Sequence, residues 1–237
     1  KRFLADVEIL EPLNPLKPLE RTDKHKEKRV TVHVPNTGPM TSCWEKGDRV
    51  GLSYSDSATR KYPYTLEMIE HKGIWIGVNT HRANALMEKA IFEKKIPLLP
   101  FDFSLLQREV SVEVEKGEKS RFDFFISPCP SYPKGHYLEV KNVTFKHEQG
   151  AYFPDAISTR GQKHLDHLLK LHQQGIEVTL LFCIQRNDCE FFSPASFIDP
   201  IYTRKFKQIL TSNIQIFACS LEVSIQGIFW NKFLTVV

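Results

Sequence analysis

SRFDFFI (residues 120–126) and HYLEVKNVTF (residues 136–145), joined across a proline-rich turn, decide how this chain is read. Both have the length and apolar content of strands, and side chains two apart in a strand share a face. Glu139 and Lys141 therefore project together, while Leu138 and Val140 make the opposite face apolar. If the two strands are neighbours, Asp123 of the first approaches both. Two carboxylates beside an ammonium at one sheet end can hold a divalent cation and place a water next to it, which phosphodiester hydrolysis requires. An acid and a lysine alternating along a strand also describe an ordinary solvated face, and spacing alone leaves both readings open. The apolar run VTLLFCI (residues 178–184) predicts a central strand covered on both faces, which anchors this sheet in a core.

Working outward, 237 residues are enough for one large domain or two smaller ones. With 41% hydrophobic and 25% charged residues the composition is that of an ordinary globular protein. The net charge of +4 is compatible with a polyanionic partner without demanding one. The five cysteines form no C-x-x-C pair and no zinc-type spacing, so free thiols in a reducing compartment, by default the cytoplasm, are expected. No apolar stretch approaches the ~18 residues of a membrane span.

Along the chain, FLADVEIL (residues 3–10) has strand content and leads into a segment broken by Pro12, Pro15 and Pro18. The basic run RTDKHKEKR (residues 21–29), with Lys24 and Lys26 inside it, is either a solvated loop or an arm that grips phosphates. VTVHV, TSCW, RVGLSYS, YPYTLEMIE and GIWIGV then predict five short strands with close turns, a small barrel of the kind that binds oligonucleotides on one face. Tyr62, Tyr64 and Trp75 suit base stacking or simply the barrel's core. A helix is expected from Asn79-Thr80, its apolar stripe Ala83, Leu86, Met87, Ala90 and Ile91, and the domain boundary is placed at Val78. EVSVEV pairs as a hairpin with SRFDFFI. Glu109 at its start is a third acid or merely an exposed strand end. A second helix is predicted from Ser158 or Thr159 to about Gln174, stopped by Gly175, and a third from Asp199 to Leu210. Arg160, Lys163 and His164 sit in the first turn of the second helix, where free amides favour an anion, so a phosphate contact there is weighed against a solvated helix start. His164, His167 and His172 lack the spacing of a zinc helix. IQIFACSLEV and IFWNKFLTVV supply late strands.

Read together, KRFLADV, VHVPNTGPM, RKYPYTLE, GVNT, SRFDFFI, YLEVKNVTF, FPDA, TRGQKHL and DP-x-Y (residues 199–202) resemble the sugar fermentation stimulation protein (SfsA) family over nearly the whole chain. The resemblance implies an OB-type β-barrel over residues 1–78 and a mixed-sheet domain similar to PD-(D/E)xK nucleases, with flanking helices, over residues 79–237. It also implies DNA binding and a regulatory link to sugar utilisation. By motif, Asp123, Glu139 and Lys141 correspond to the nuclease-type triad, with the carbonyl of Val140 completing a Mg²⁺ or Mn²⁺ site and Asp155 of FPDA a weaker additional acid. Arg60, Lys61 and the basic arm would track phosphates without reading sequence. A catalytically silent DNA-binding regulator is the competing reading. The chain departs from the family in its long insert between Leu10 and Val30 and in Val34, where a cysteine is common.

Overall fold

The structure is a computed structural model that describes residues 3–10, 29–96 and 105–237. Lys24, Lys26 and most of the basic arm therefore lie outside the described residues.

β-rich local sequence separated by Gly and Asp turns builds the first sheet: β1 (Leu4–Glu8), β2 (Arg29–His33), β3 (Arg49–Tyr54), β4 (Tyr64–His71) and β5 (Ile74–Gly77). The order is β1-β2-β4-β3, with β5 also on β4. The long β4 bends so that one edge carries β3 while the other is shared by β2 at Thr65 and β5 from Met68 onward. Val32, Leu66, Ile69, Ile76 and Val78 fill its interior. The TSCW strand expected from sequence is instead a turn. Its Cys43 is pulled inward, the thiol facing the Thr144 carbonyl at 3.6 Å, and Ser42 is tied to the second sheet, so the segment docks rather than pairs.

α1 (Arg82–Phe92) follows, burying Ala83, Met87, Ala90 and Ile91 as its stripe predicts. It begins later than expected. Asn79 is held by Glu67 at 2.9 Å and accepts the His81 amide, which leaves His81 at the N-cap without a side-chain cap. Then come β6 (Leu106–Glu115), β7 (Glu118–Ile126), β8 (His136–Val143), β9 (Lys146–His147), β10 (Gly150–Phe153), α2 (Thr159–Gln173), β11 (Glu177–Ile184), β12 (Phe191–Pro194), α3 (Pro200–Thr211), β13 (Gln215–Ser224) and β14 (Gly227–Val236). They form a nine-stranded mixed sheet in the order β6-β7-β8-β11-β13-β14-β12-β10-β9. The strands β8, β11 and β13 are parallel, and β11 is buried over seven consecutive residues, as its unbroken apolar run requires. α1 covers one face with Phe124, Leu138, Val140 and Leu181; α2 and α3 cover the other with Phe122, Leu180, Phe182 and Phe206. The short β9, β10 and β12 were not expected from sequence, since runs of two to four residues are too brief for periodicity to register.

The two sheets are joined by polar contacts. The Gly77 amide donates to Gln185 O at 2.9 Å, and Arg186 donates to Ser42 O and Thr144 O at 3.2 and 2.9 Å while pairing with Asp188.

Candidate catalytic site at the fork of two strands

Strand periodicity would keep Phe122 and Phe124 on one face, yet Phe122 packs under α2 and Phe124 under α1. The same exchange occurs across the hairpin, where Leu106 joins the α1 side and Val110 the α2 side. Between them Glu109 adopts φ 54°, a left-handed conformation uncommon for a residue with a Cβ. The β6–β7 hairpin thus turns over at Glu109 and Asp123. There β7 leaves β8: their pairing ends at Phe124↔Leu138. Asp123 closes the resulting fork with its side chain, which accepts the Val140 amide at 2.7 Å and the Asn84 amide group from α1 at 2.8 Å.

On β8, Glu139 and Lys141 project under α2, where His164 meets them one turn into the helix. Glu139 Oε1 contacts both Lys141 Nζ and His164 Nδ1, and Lys141 and His164 are 3.5 Å apart. Oε2 accepts no hydrogen bond from the described residues. Glu139 is 3% exposed. Burial pushes its carboxyl up, but the Lys141 ammonium and His164 outweigh this and leave it below the usual carboxylate range. Asp123 moves the opposite way: burial and the neighbouring Glu139 charge raise it, against the Val140 amide, Asn84 and Lys141. The Tyr202 hydroxyl, fully buried and without a hydrogen-bond partner among the described residues, also lies in the field of Glu139.

The fork therefore brings together Asp123, Glu139, Lys141 and His164. It does not recruit Glu109, which pairs with Arg121 at 3.0 Å on the exposed side, nor Asp155, which lies in a separate pocket against Gly38. Lys163 pairs with Glu118 at 3.0 Å, while Arg160, Arg60 and Lys61 are exposed. His167 is buried with Nε2 3.1 Å from Glu118, off hydrogen-bond alignment. His164 is the residue whose place sequence reasoning missed: its position in the helix pointed to an incoming phosphate, whereas it touches Glu139. The helical spacing that puts Leu165 and Leu168 into the core also turns the residue just before Leu165 toward the sheet, and that signal was available.

As to chemistry, two hard-oxygen donors whose charges repel each other suit a divalent cation, and Mg²⁺ commonly takes one or two carboxylates and keeps several waters. Among the described residues no group of three or more His, Cys, Asp or Glu side chains is placed to hold a metal ion.

A five-stranded sheet ahead of a nine-stranded mixed sheet with three helices defines the class as a two-domain protein. Residues 1–78 match the family described as SfsA N-terminal OB domain, and residues 81–227 that described as sugar fermentation stimulation protein RE domain. The chain belongs to the SfsA family. It is 39% identical to the sugar fermentation stimulation protein homolog of Desulfotalea psychrophila over 231 residues, 96% of this chain and 87% of the relative. To the homolog of Synechocystis sp. it is 38% identical over 228 residues, 96% and 88% of the two chains. Among solved structures it is similar to Pyrococcus furiosus SfsA in complex with Ca²⁺, with TM-score 0.77 and 24% identity over 99% of this chain and 96% of that one. No helix among the described residues is long and apolar enough to cross a membrane.

Proposed function

We propose that this protein binds DNA and hydrolyses phosphodiester bonds with a divalent cation, Mg²⁺ or Mn²⁺, at the β7–β8 fork, in the manner of PD-(D/E)xK nucleases. The observation that carries the reading is the fork itself: Asp123 held by the Val140 amide beside the Glu139–Lys141–His164 cluster. The Ca²⁺ complex of the structural relative from Pyrococcus furiosus lends it support. Asp123 and Glu139 Oε2, with the carbonyl of Val140, would hold the cation. A cation held there would supply a nucleophilic water and offset charge on the phosphate. Lys141 places a positive charge beside the attacking water and the phosphoryl oxygens. His164 shares Oε1 of Glu139 and so fixes the orientation of that carboxylate. Arg60, Lys61 and Arg160, exposed and not ion-paired among the described residues, would contact backbone phosphates, as would Lys24 and Lys26 of the arm.

The test is supercoiled plasmid incubated with Mg²⁺ or Mn²⁺. Glu139→Ala is expected to lower nicking at least a hundredfold, and Lys141→Ala to do likewise with DNA binding retained. Cleavage that persists in both variants would remove the site from the reaction. No cleavage by the unaltered protein, with salt-sensitive duplex binding retained, would favour a DNA-binding regulator that keeps the fold.

A further inference from the structure

Beyond the fork, β8 continues to the junction of the two sheets, where a pocket of about 210 Å³ opens. Lys141 and Thr144 are three residues apart, so the pocket lies roughly 10 Å from the fork along the strand. The first domain contributes Asn36, Thr37 and Gly38; the second contributes Asn142, Tyr152 and Asp155.

The Asp155 carboxylate presses against Gly38. A Cβ there would meet Asp155 Oδ2 at 2.0 Å, so the glycine is what makes room for the acid. Asp155 makes no ion pair or side-chain hydrogen bond with the described residues, and burial raises its carboxyl. Asn142 uses its oxygen on Gln185, and its amide NH₂ has no acceptor among the described residues. Asn36, by contrast, is fully employed holding the Gly38 amide and the Val78 carbonyl. The pocket thus offers a strong acceptor and an amide donor, and no Lys or Arg lines it. A phosphate would find no cation there.

One wall is aromatic. Tyr152 is the hub of a cluster with Phe145, His147, Phe191 and Phe197 at centroid distances of 5.4 to 6.3 Å, and Phe197 is 58% exposed at its edge. Half-buried rings (Phe145 and Tyr152) beside paired acceptor and donor groups suit a flat heteroaromatic ligand with a hydrogen-bonding edge.

We propose that this pocket binds a single nucleobase, its face on Tyr152 and a guanine-type edge against Asp155. Guanine N1–H and N2–H₂ can both donate to one carboxylate, and O6 can accept from Asn142. The base comes either from a free nucleoside or from a polynucleotide lying across the fork; the site goes beyond the hydrolase reading and does not depend on cleavage.

Calorimetry on the full chain with guanosine, adenosine, methyl α-glucoside and a thymine oligonucleotide carrying one guanine tests this. Guanosine, the guanine-containing oligonucleotide or both are expected to bind, at least tenfold tighter than adenosine or an all-thymine oligonucleotide. Binding of guanosine assigns a free ligand, and binding of the oligonucleotide alone assigns a base within a strand. Asp155→Asn should weaken either at least tenfold. Gly38→Ala, which keeps the acid but displaces it, should do the same, while Glu139→Ala leaves base binding intact and so separates this site from the fork. Binding of methyl α-glucoside in place of guanine, absence of both guanine ligands, or unchanged affinity in folded Asp155→Asn and Gly38→Ala would each overturn the proposal.

Discussion

Glu139 shows how one residue's chemistry is set by its neighbours. A carboxylate 3% exposed would ordinarily be neutralised by protonation; here Lys141 and His164 keep it charged. His136, five residues from Lys141 on the same strand, is the opposite case. Its Nε2 lies 2.8 Å from the Thr179 hydroxyl, but Nδ1 is buried without a partner, and burial lowers its pKa to about 3. Folding therefore requires the neutral imidazole. With the folded pKa below the unfolded value of about 6.5, the contribution is complete above pH ~6.5 and is lost as pH falls toward 3. By pH 4 the loss is on the order of 3 kcal/mol. Urea titrations at pH 7, 5.5 and 4 should show it, and His136→Asn should flatten that part of the slope. Equal slopes in the two proteins would mean that other groups carry the acid sensitivity.

At the scale of elements, α2 and α3 start at a shared acid. Asp199 caps α3 through the Tyr202 amide at 2.9 Å, accepts the Ser158 amide at 3.0 Å just ahead of α2, and is reached by Gln162. Ser158 in turn caps α2 through the Gly161 amide at 3.0 Å. His164 owes its place over Glu139 to this double anchoring, because the first turn of α2 is fixed against the sheet. Asp199→Ala removes a cap and leaves buried amides unpaired, and should cost about 2–3 kcal/mol in urea unfolding. Asp199→Asn, which retains the acceptor oxygen, should restore part of the loss. If both variants unfold like the unaltered protein, the cap is not what holds α2. Both helices and the Ser158 cap were legible in the sequence because caps and helical stripes are local signals, whereas Asp199 reads there only as the start of the third helix. The turning-over of β6 and β7 was not. It breaks the period of two at Glu109 and Asp123, and no local preference marks where a hairpin changes the layer it packs against.

At the scale of the whole molecule, the two sheets are clamped by Arg186, 3% exposed, which bridges Ser42 and Thr144 while held by Asp188. Burial by itself would raise Asp188, but Arg186 and Lys146 bring it down to about 2. A lowered carboxylate stabilises above its unfolded pKa and loses that contribution as pH falls, so this clamp is intact above pH ~4 and releases toward pH 2. Asp188→Ala strands a buried guanidinium at the junction and should destabilise the protein by about 3–5 kcal/mol, measured by denaturant unfolding at pH 7. Loss of less than about 1 kcal/mol would show that solvent reaches Arg186 readily. The clamp also sets the pocket between Gly38 and Asp155, whose walls come from both sheets.

The sequence by itself determined the strands that carry Asp123, Glu139 and Lys141, the common face of the last two, the buried central strand, the three helical segments and the Ser158 cap of α2. Each of these depends on a period or a dipeptide within a few residues. Only the tertiary structure decided that Asp123 closes the fork through the Val140 amide, that His164 meets Glu139 from α2, that Glu109 and Asp155 stay apart from them, and that TSCW docks instead of pairing. Those outcomes depend on which elements become neighbours across 17 residues (Asp123 to Val140), 25 (Glu139 to His164) or 104 (Ser42 to Lys146), and such contacts are chosen by packing of the whole core rather than by any stretch of chain.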